Sequence, residues 1–489
     1  MASSTSNGTH KWPLPTQPFI HGKYVDSKGT EKLTLRSAVD DSLISDQVQV
    51  ANAADVDIAV ESAEQALKVW QGLPFENRRK VMERYADLIV EHGDHLGYLE
   101  TILNGKEIMF SGTHEPRAAA NLFNYFAGYV DKLDGDAVSS DDGYLKIIRH
   151  EPFGICAGIN AYNSPIITFA MKAAPALAAG NVIISKASET NPFSSLYLGE
   201  LAIQAGIPPG VLNVLIGTVE CGSALATHMK IRKISFTGSV VVGKKIQVAA
   251  AQSNLKSVTL ELGGKTPVIV FPDADIDLAA ADSYGFMRLN GQGCVLGTRI
   301  FVHEDVVDEY VTKLKVKLEH YRSTLGADPF DKNTISSPLY HHRQRDIVVS
   351  FLDQGGKEAK VLTGGKAFGD KGCYIEPTLF YKPKPDARVV RNEIFGPVAV
   401  IDTFTDEDDV VRRANDTDYG LGATLYTKDL SRAVRVSTQL EAGTVTVNNS
   451  YYVHHAMAFG GWKNSGVGRE NGKYGLLEYT QTKSLVFKY

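Results

Sequence analysis

ICAGINAYNSPIITFAMKAAPALAAGNVIIS, residues 155–185, decides how the chain folds. Residues 155–159 are a short apolar run that reads as a buried strand. Residues 166–179 are apolar on every side and long enough for a helix, and Gly180 closes it. Residues 181–185 are again a strand-like apolar run. Strand, helix and strand within about 30 residues make one βαβ unit. Working outward, a helix over 194–204 ends at Gly206. A strand over 211–215, a helix over 221–229 and a strand over 234–236 then repeat the scheme. This alternation specifies a parallel sheet, with the loops that follow each strand gathered on one edge.

Upstream, residues 1–50 read as extended and loop segments. From Asp55, placed as an N-cap, apolar residues Val56, Ile58, Ala59, Ala63, Ala66, Leu67 and Trp70 recur at helical spacing. Further helices are expected over 76–92 and 115–130, and a strand over 146–149. A second α/β region starts near Gly263, with strands over 268–271 and 299–302 and helices over 276–289 and 304–321. It runs to about Thr446, and residues 480–488 alternate like a strand. The fold class is therefore α/β.

The composition is that of a globular protein: 489 residues, 43% hydrophobic and 22% charged. A net charge of −5 gives no electrostatic reason to expect nucleic acid or an anionic membrane as partner. The four cysteines, Cys156, Cys221, Cys294 and Cys373, form no C-x-x-C pair, so neither a disulfide framework nor a metal site is expected. Residues 1–9 lack the apolar centre of a secretory signal, and the first arginine is Arg36. No run of about 18 apolar residues is present. A cytoplasmic location is the default expectation.

The G-x-G-x-x-G fingerprint of dinucleotide-binding folds is missing. Gly238 to Lys244 has the G-x-x-x-x-G-K frame of a phosphate loop, but Lys245 stands where a Mg²⁺-binding Ser or Thr belongs, which argues against ATP hydrolysis. Gly264-Lys265-Thr266 has the other end of that motif, with Thr259 in place of its first Gly. Thr237, Gly238 and Ser239 lie between a strand and a helix, where free N–H groups suit a pyrophosphate; an ordinary capped turn reads the same way. Lys186 and Glu189, just after a strand, can hold a ribose or simply be a solvated loop.

Residues 291–294, Gly-Gln-Gly-Cys, bring a cysteine to the end of a glycine-rich turn, a plausible thiolate nucleophile or a small buried residue. Glu261 ends a strand before Gly263-Gly264, where a carboxylate can activate water or pair at the surface. Asn163 follows the first strand and can donate to an oxyanion or shape a turn.

Taken in order, these segments resemble the aldehyde dehydrogenase superfamily: Tyr162-Asn163, Lys186-Ala-Ser-Glu189, Phe236-Thr-Gly-Ser239-x-x-x-Gly243, Glu261-Leu-Gly-Gly-Lys265, Gly291-Gln-Gly-Cys294, Glu393-Ile-Phe-Gly-Pro397 and the stretch from Phe459 through Lys463, Ser465 and Gly468 to Glu470. The resemblance implies a non-standard Rossmann cofactor domain (1–131 and 150–262) and an α/β catalytic domain (263–446). It also implies a small β oligomerisation arm (132–149 and 472–489) and a return segment (447–471). Homodimers or homotetramers would follow. It implies Cys294 as nucleophile, Asn163 with the Cys294 N–H as oxyanion donors, Glu261 as the base for water, and Lys172 with Glu470 as a proton-relay pair. For the cofactor it implies Ile159, Lys186, Glu189, Gly217, Ser239, Leu262, Glu393 and Phe395. Glu189 favours NAD over NADP, because a carboxylate repels a 2′-phosphate; nearby Lys186 keeps NADP use possible.

The chain departs from the family pattern at Tyr162 and Ala161, usually Trp and Pro, at Gly293, often a larger residue, and at Ala187, usually Pro. Gly293 and Ser164 should widen the channel to the reaction centre. Tyr162, Met171, Arg288, Tyr451, Tyr452, His454 and Phe459 are the expected channel residues and suit an apolar or aromatic aldehyde. Arg288 could pair with a substrate carboxylate or face solvent. Two competing functions are a CoA-acylating enzyme of the same superfamily, in which CoA rather than water resolves the thioester, and a non-catalytic binding protein with this fold.

Overall fold

The computed structural model describes residues 10–450 and 452–489. Its first sheet is built on the quoted stretch. The strand β1 (Ile155–Ile159) leads into α1 (Pro165–Ala178), then β2 (Val182–Ala187), α2 (Phe193–Gln204) and β3 (Leu212–Ile216). The chain continues through α3 (Val219–Thr227), β4 (Lys233–Thr237), α4 (Val240–Ser253) and β5 (Ser257–Glu261). The five strands are parallel in the order β3-β2-β1-β4-β5. Strand order reverses between β1 and β4, so the helices that leave them splay apart and open a crevice at their carboxyl ends. Antiparallel strands close both edges, Phe19–Ile20 beside β3 and Gly466–Val467 beside β5. All residues of β1 to β4 are buried, as expected of parallel strands covered by helices on both faces.

Three helices of the N-terminal region, Ala53–Gly72, Phe75–Glu91 and Glu115–Ala127, fall close to the expected spans and share the first core. Asp55 is not the N-cap of the first. Asn52 is, accepting from the N–H groups of Ala54 and Asp55, while Asp55 reaches back to the Asn52 N–H at 2.9 Å. Asp55 also accepts from Ser27 and Lys28, which fixes it one turn inside the helix. A helix over Gly93–Asn104 was not expected; it ends at Gly105 in the left-handed region.

The second sheet carries seven strands in the order Lys360–Thr363, Thr378–Tyr381, Val398–Phe404, Gly297–His303, Thr266–Val270, Gly422–Tyr426 and Thr444–Val447. Only the first pair is antiparallel. The helix expected over 276–289 is shorter. It spans Ile276–Ser283 and gives way to a tight helical turn. Leu289 (φ 53°), Asn290 (φ 49°) and Gly291 (φ 75°) then run consecutively in the left-handed region. Two non-glycine residues held there store backbone strain just before Cys294. A third sheet pairs all nine residues of Thr480–Lys488 with Tyr144–Pro152, with Asp136–Val138 at its edge.

Among the described residues no helix is long and apolar enough to cross a membrane. No group of three or more potential His, Cys, Asp or Glu metal ligands occurs among them.

Candidate active site

Glu261 is the last residue of β5, and Cys294 sits on the loop that enters the second sheet at Gly297. The two meet between the sheets, where the Cys294 thiol and the Glu261 carboxyl face each other closely enough for each to shift the other's protonation. Burial pushes Glu261 up to about 8, partly opposed by the facing Cys294 thiol. Burial and the facing Glu261 carboxyl also raise the thiol well above its ordinary value. Oε1 of Glu261 is buried with no protein partner, which leaves it free to take a proton from water.

Close approach explains the glycines. A Cβ on Gly264 would lie 2.2 Å from the Cys294 carbonyl oxygen, and one on Gly291 would lie 2.0 Å from the Gly396 carbonyl oxygen. Asn163 leaves the β1–α1 turn and donates from Nδ2 to the Gln292 carbonyl at 2.7 Å. An amide NH₂ has two hydrogens, so one remains for an oxyanion beside Cys294.

Behind Glu261 lies a buried polar chain. Lys172, on α1, donates to Thr237 Oγ1 at 2.6 Å and to Glu470 Oε1 at 2.9 Å. Ser235 donates to the same oxygen at 3.0 Å. Glu470 Oε2 is buried and has no partner. The backbones of Phe459 and Glu470 exchange two hydrogen bonds of 2.7 Å, which brings Phe459 into the same region.

The crevice at the reversal of strand order carries the other expected residues. Ile159 ends β1, in register with Lys186 on β2 and Phe236 on β4. Lys186 Nζ donates to Glu189 Oε2 at 3.2 Å. Gly217 follows β3, where a Cβ would lie 2.2 Å from that of Cys221. Ser239 caps α4, and Leu262 packs on that helix so closely that a Cβ on Gly243 would lie 2.7 Å from it. Glu393 Oε1 accepts from the Gly264 N–H at 3.1 Å; burial pushes this carboxyl up to about 7, with that N–H and Lys265 opposing. Phe395 adopts a left-handed φ of 55°.

Of the expected channel residues, Met171 and Phe459 are buried. Tyr162 lies edge-on to His341, Phe395 and Tyr340, with ring centroids 5.1, 6.0 and 6.1 Å away. Arg288 is exposed and lies near His114 and Asp282. Tyr452 stacks on His454 at 5.7 Å. Tyr451 lies outside the described residues.

Comparison with known proteins settles the family. The sequence pattern of the aldehyde dehydrogenase family matches residues 24–485. The chain belongs to this family. Aldehyde dehydrogenase family 2 member B4, mitochondrial, of Arabidopsis thaliana is 42% identical over 476 residues, which are 96% of this chain and 88% of that one. The structure of the indole-3-acetaldehyde dehydrogenase AldA of P. syringae, in complex with NAD⁺ and IAA, superposes with a TM-score of 0.95 at 34% identity, covering 98% of both chains. An NADP-dependent enzyme of E. coli superposes with a TM-score of 0.93 at 34% identity, covering 97% of this chain and 98% of that one.

Several residues that shape the site of this aldehyde dehydrogenase carried no sequence expectation of their own. Gln292 is fully buried, and besides holding Asn163 it accepts from the Tyr340 N–H at 3.1 Å and donates to the Leu289 carbonyl at 3.0 Å. A long polar side chain between two glycines was the available signal. Ser235 fixes the Lys172–Glu470 pair from β4, together with Thr237, which the sequence marked only as part of a pyrophosphate turn.

Proposed function

We propose that the chain oxidises an aldehyde to its carboxylic acid with NAD⁺ as the preferred oxidant, through a thioester on Cys294. The placement of the Cys294 thiol against the Glu261 carboxyl, whose Oε1 is buried without a partner, carries this reading. The crevice suits a dinucleotide: Glu189 and Glu393 offer carboxylates for two ribose diols, and the Ser239-capped start of α4 offers N–H groups for a pyrophosphate. When bound, the nicotinamide supplies the hydride acceptor.

The residues then divide the work. Glu261 accepts the thiol proton as sulfur adds to the aldehyde carbon. Asn163 Nδ2–H and the Cys294 N–H hold the developing oxyanion of the thiohemiacetal. Loss of hydride from that carbon leaves a thioester. Once its first proton has passed to the Lys172–Glu470 pair behind it, Glu261 is again a carboxylate and takes a proton from the attacking water; breaking of the carbon–sulfur bond releases the acid and a Cys294 thiolate, which that second proton restores to the thiol. The placement of Glu261 against Cys294 supports hydrolysis rather than transfer of the acyl group to CoA. Met171 and Phe459 support an apolar or aromatic substrate. The three-stranded sheet, with Val138, Leu145, Val486 and Phe487 exposed, supports assembly of two or more copies.

The test is formation of reduced nicotinamide with a panel of aliphatic and aromatic aldehydes. Activity should vanish in Cys294→Ala while cofactor binding persists. An active Cys294→Ala enzyme refutes the assignment.

A further inference from the structure

A buried charged cluster takes no part in the chemistry above. Lys106 donates to Glu100 Oε2 at 2.9 Å and to Glu115 Oε2 at 2.7 Å, and all three side chains are fully buried. Stability alone is a weak reason to keep such a cluster, since well-packed apolar residues often serve a core as well. What a buried carboxylate offers is direction. Glu100 Oε2 also accepts from Asn104 at 3.3 Å and from Asn191 at 2.9 Å, and its Oε1 accepts from Ser194. Of these donors, Asn191 leads toward the reaction centre.

Asn191 lies between β2 and α2 and is 1% exposed. The second hydrogen of its amide goes to the Tyr162 carbonyl, with Nδ2 at 3.4 Å. Its Oδ1 is buried with no partner, so the side chain is oriented to serve its two N–H groups and leaves its oxygen unpaired. The Tyr162 carbonyl and the Asn163 N–H share one planar peptide unit, so a grip on that oxygen sets the direction in which Asn163 leaves the turn. The start of the turn is tied separately. Asn160 donates from its backbone to the Lys186 carbonyl at 3.0 Å and from its side chain to Ser185 Oγ at 2.9 Å. The far end of the Asn163 side chain is tied to the Gln292 carbonyl. Gln292 in turn accepts from the Tyr340 N–H, and the Tyr340 ring centroid lies 5.6 Å from Lys106 Nζ. The same cluster thus backs both ends of Asn163.

We propose that Asn191, anchored on Glu100, is a positioning residue for the oxyanion donor: it fixes the Tyr162–Asn163 peptide so that the free amide hydrogen of Asn163 points at the oxygen that develops beside Cys294. This rests on the reading of Asn163 as an oxyanion donor. Without Asn191 the peptide can rotate, and Asn163 then keeps its bond to Gln292 only by swinging the free hydrogen off line. An oxyanion donor works through alignment, and a displacement of about 1 Å costs up to about a hundredfold in rate.

The experiment measures the rate constant of hydride transfer in the first turnover, by rapid mixing at saturating NAD⁺ with benzaldehyde or hexanal, whichever is oxidised faster. It compares wild type, Asn191→Leu, Asn191→Ser, Asn163→Ala and the two double variants that combine Asn163→Ala with each change at Asn191. Leu is close to Asn in size but has no N–H. The Ser hydroxyl has a single hydrogen and cannot serve both acceptors, and it carries the test by itself if Asn191→Leu does not fold. Asn163→Ala should slow hydride transfer at least about a hundredfold. Either change at Asn191 should slow it about tenfold, with the aldehyde concentration for half-maximal rate within about twofold of wild type. In the Asn163→Ala background the same change should cost less than about twofold, because no donor is left to misalign. An equal loss in both backgrounds is what a purely structural Asn191 gives, and it overturns the proposal, as does a rate within about twofold of wild type in the Asn191 variants. If Asn163→Ala itself reacts like wild type, the oxyanion reading fails instead.

Discussion

Replacing Glu261 with Gln separates the two halves of the proposed reaction. The amide keeps the shape of the side chain at the end of β5 but cannot accept a proton. Thiohemiacetal formation and hydride loss can still occur once, because Cys294 is only partly buried and its thiol can lose its proton to solvent without Glu261. Hydrolysis loses its general base, an effect of about a hundred- to ten-thousand-fold. Rapid mixing with aldehyde and NAD⁺ should show a burst of about one reduced nicotinamide per Cys294, followed by almost no steady-state turnover. The structure also sets the pH dependence in wild type. Burial holds Glu261 near 8, and only its ionised form serves as base, so hydrolysis rises with pH through about 8. Near pH 7 about one tenth of the groups are ionised, which places thioester decay about tenfold below its alkaline plateau. Single-turnover decay of the acyl-enzyme isolates this step from hydride transfer. Steady-state turnover of Glu261→Gln within a few-fold of wild type, or thioester decay independent of pH from about 6 to 9, refutes the assignment.

Three further outcomes follow from the geometry. Gly264→Ala puts a Cβ 2.2 Å from the Cys294 carbonyl oxygen, so the nucleophile loop must shift; kcat/KM should fall by about a hundredfold while far-UV circular dichroism stays unchanged. Glu189→Ser removes a carboxylate that is 47% exposed; relieving about 1 kcal/mol of repulsion should move the ratio of kcat/KM for NAD⁺ over NADP⁺ about fivefold toward NADP⁺. Lys106→Met strips the cation from Glu100 and Glu115, 2.9 and 2.7 Å away and all fully buried, and should cost about 3–5 kcal/mol in denaturant unfolding near pH 8. Glu115 is held up at about 7 by burial, above its unfolded value. Its protonated form is therefore favoured in the folded chain below that pH, and the deficit of the variant should shrink toward pH 6.

Much of the first sheet was legible because buried parallel strands are unbroken apolar runs and their helices are closed by glycine. Cys294, Glu261 and Asn163 were legible as candidates from their places at strand ends and in a glycine-rich turn, and as a set only through the family motifs. What the sequence concealed is long-range. No local pattern says that Lys172 meets Glu470, since 298 positions separate them and the bond exists only once α1 packs on β1 and β2 and the chain near its C-terminal end returns to this sheet. The helix over 93–104 was hidden by its glycines, Gly93 and Gly97, which pack where a Cβ on either would press within 2.6 Å of Gly112. The early end of the helix after Ile276 was hidden for the opposite reason. Leu289 and Asn290 are ordinary residues, and only the tertiary demands around Cys294 force them out of helical geometry.

Glu261 belongs to one sheet and Cys294 to the approach to the other, so the base and the nucleophile are carried by different sheets. Their separation would drift with any rocking of the two sheets unless something pins the seam. Ser465 does so. Its hydroxyl donates to the Gly263 carbonyl at 2.7 Å and accepts from the Gly420 N–H at 2.9 Å, while its carbonyl accepts from the Leu262 N–H at 2.9 Å. Leu262 and Gly263 extend the base strand, and Gly420 lies just before a strand of the second sheet. One buried serine thus acts as a rivet through both plates, and the reactive distance becomes a property of the joint rather than of either sheet alone.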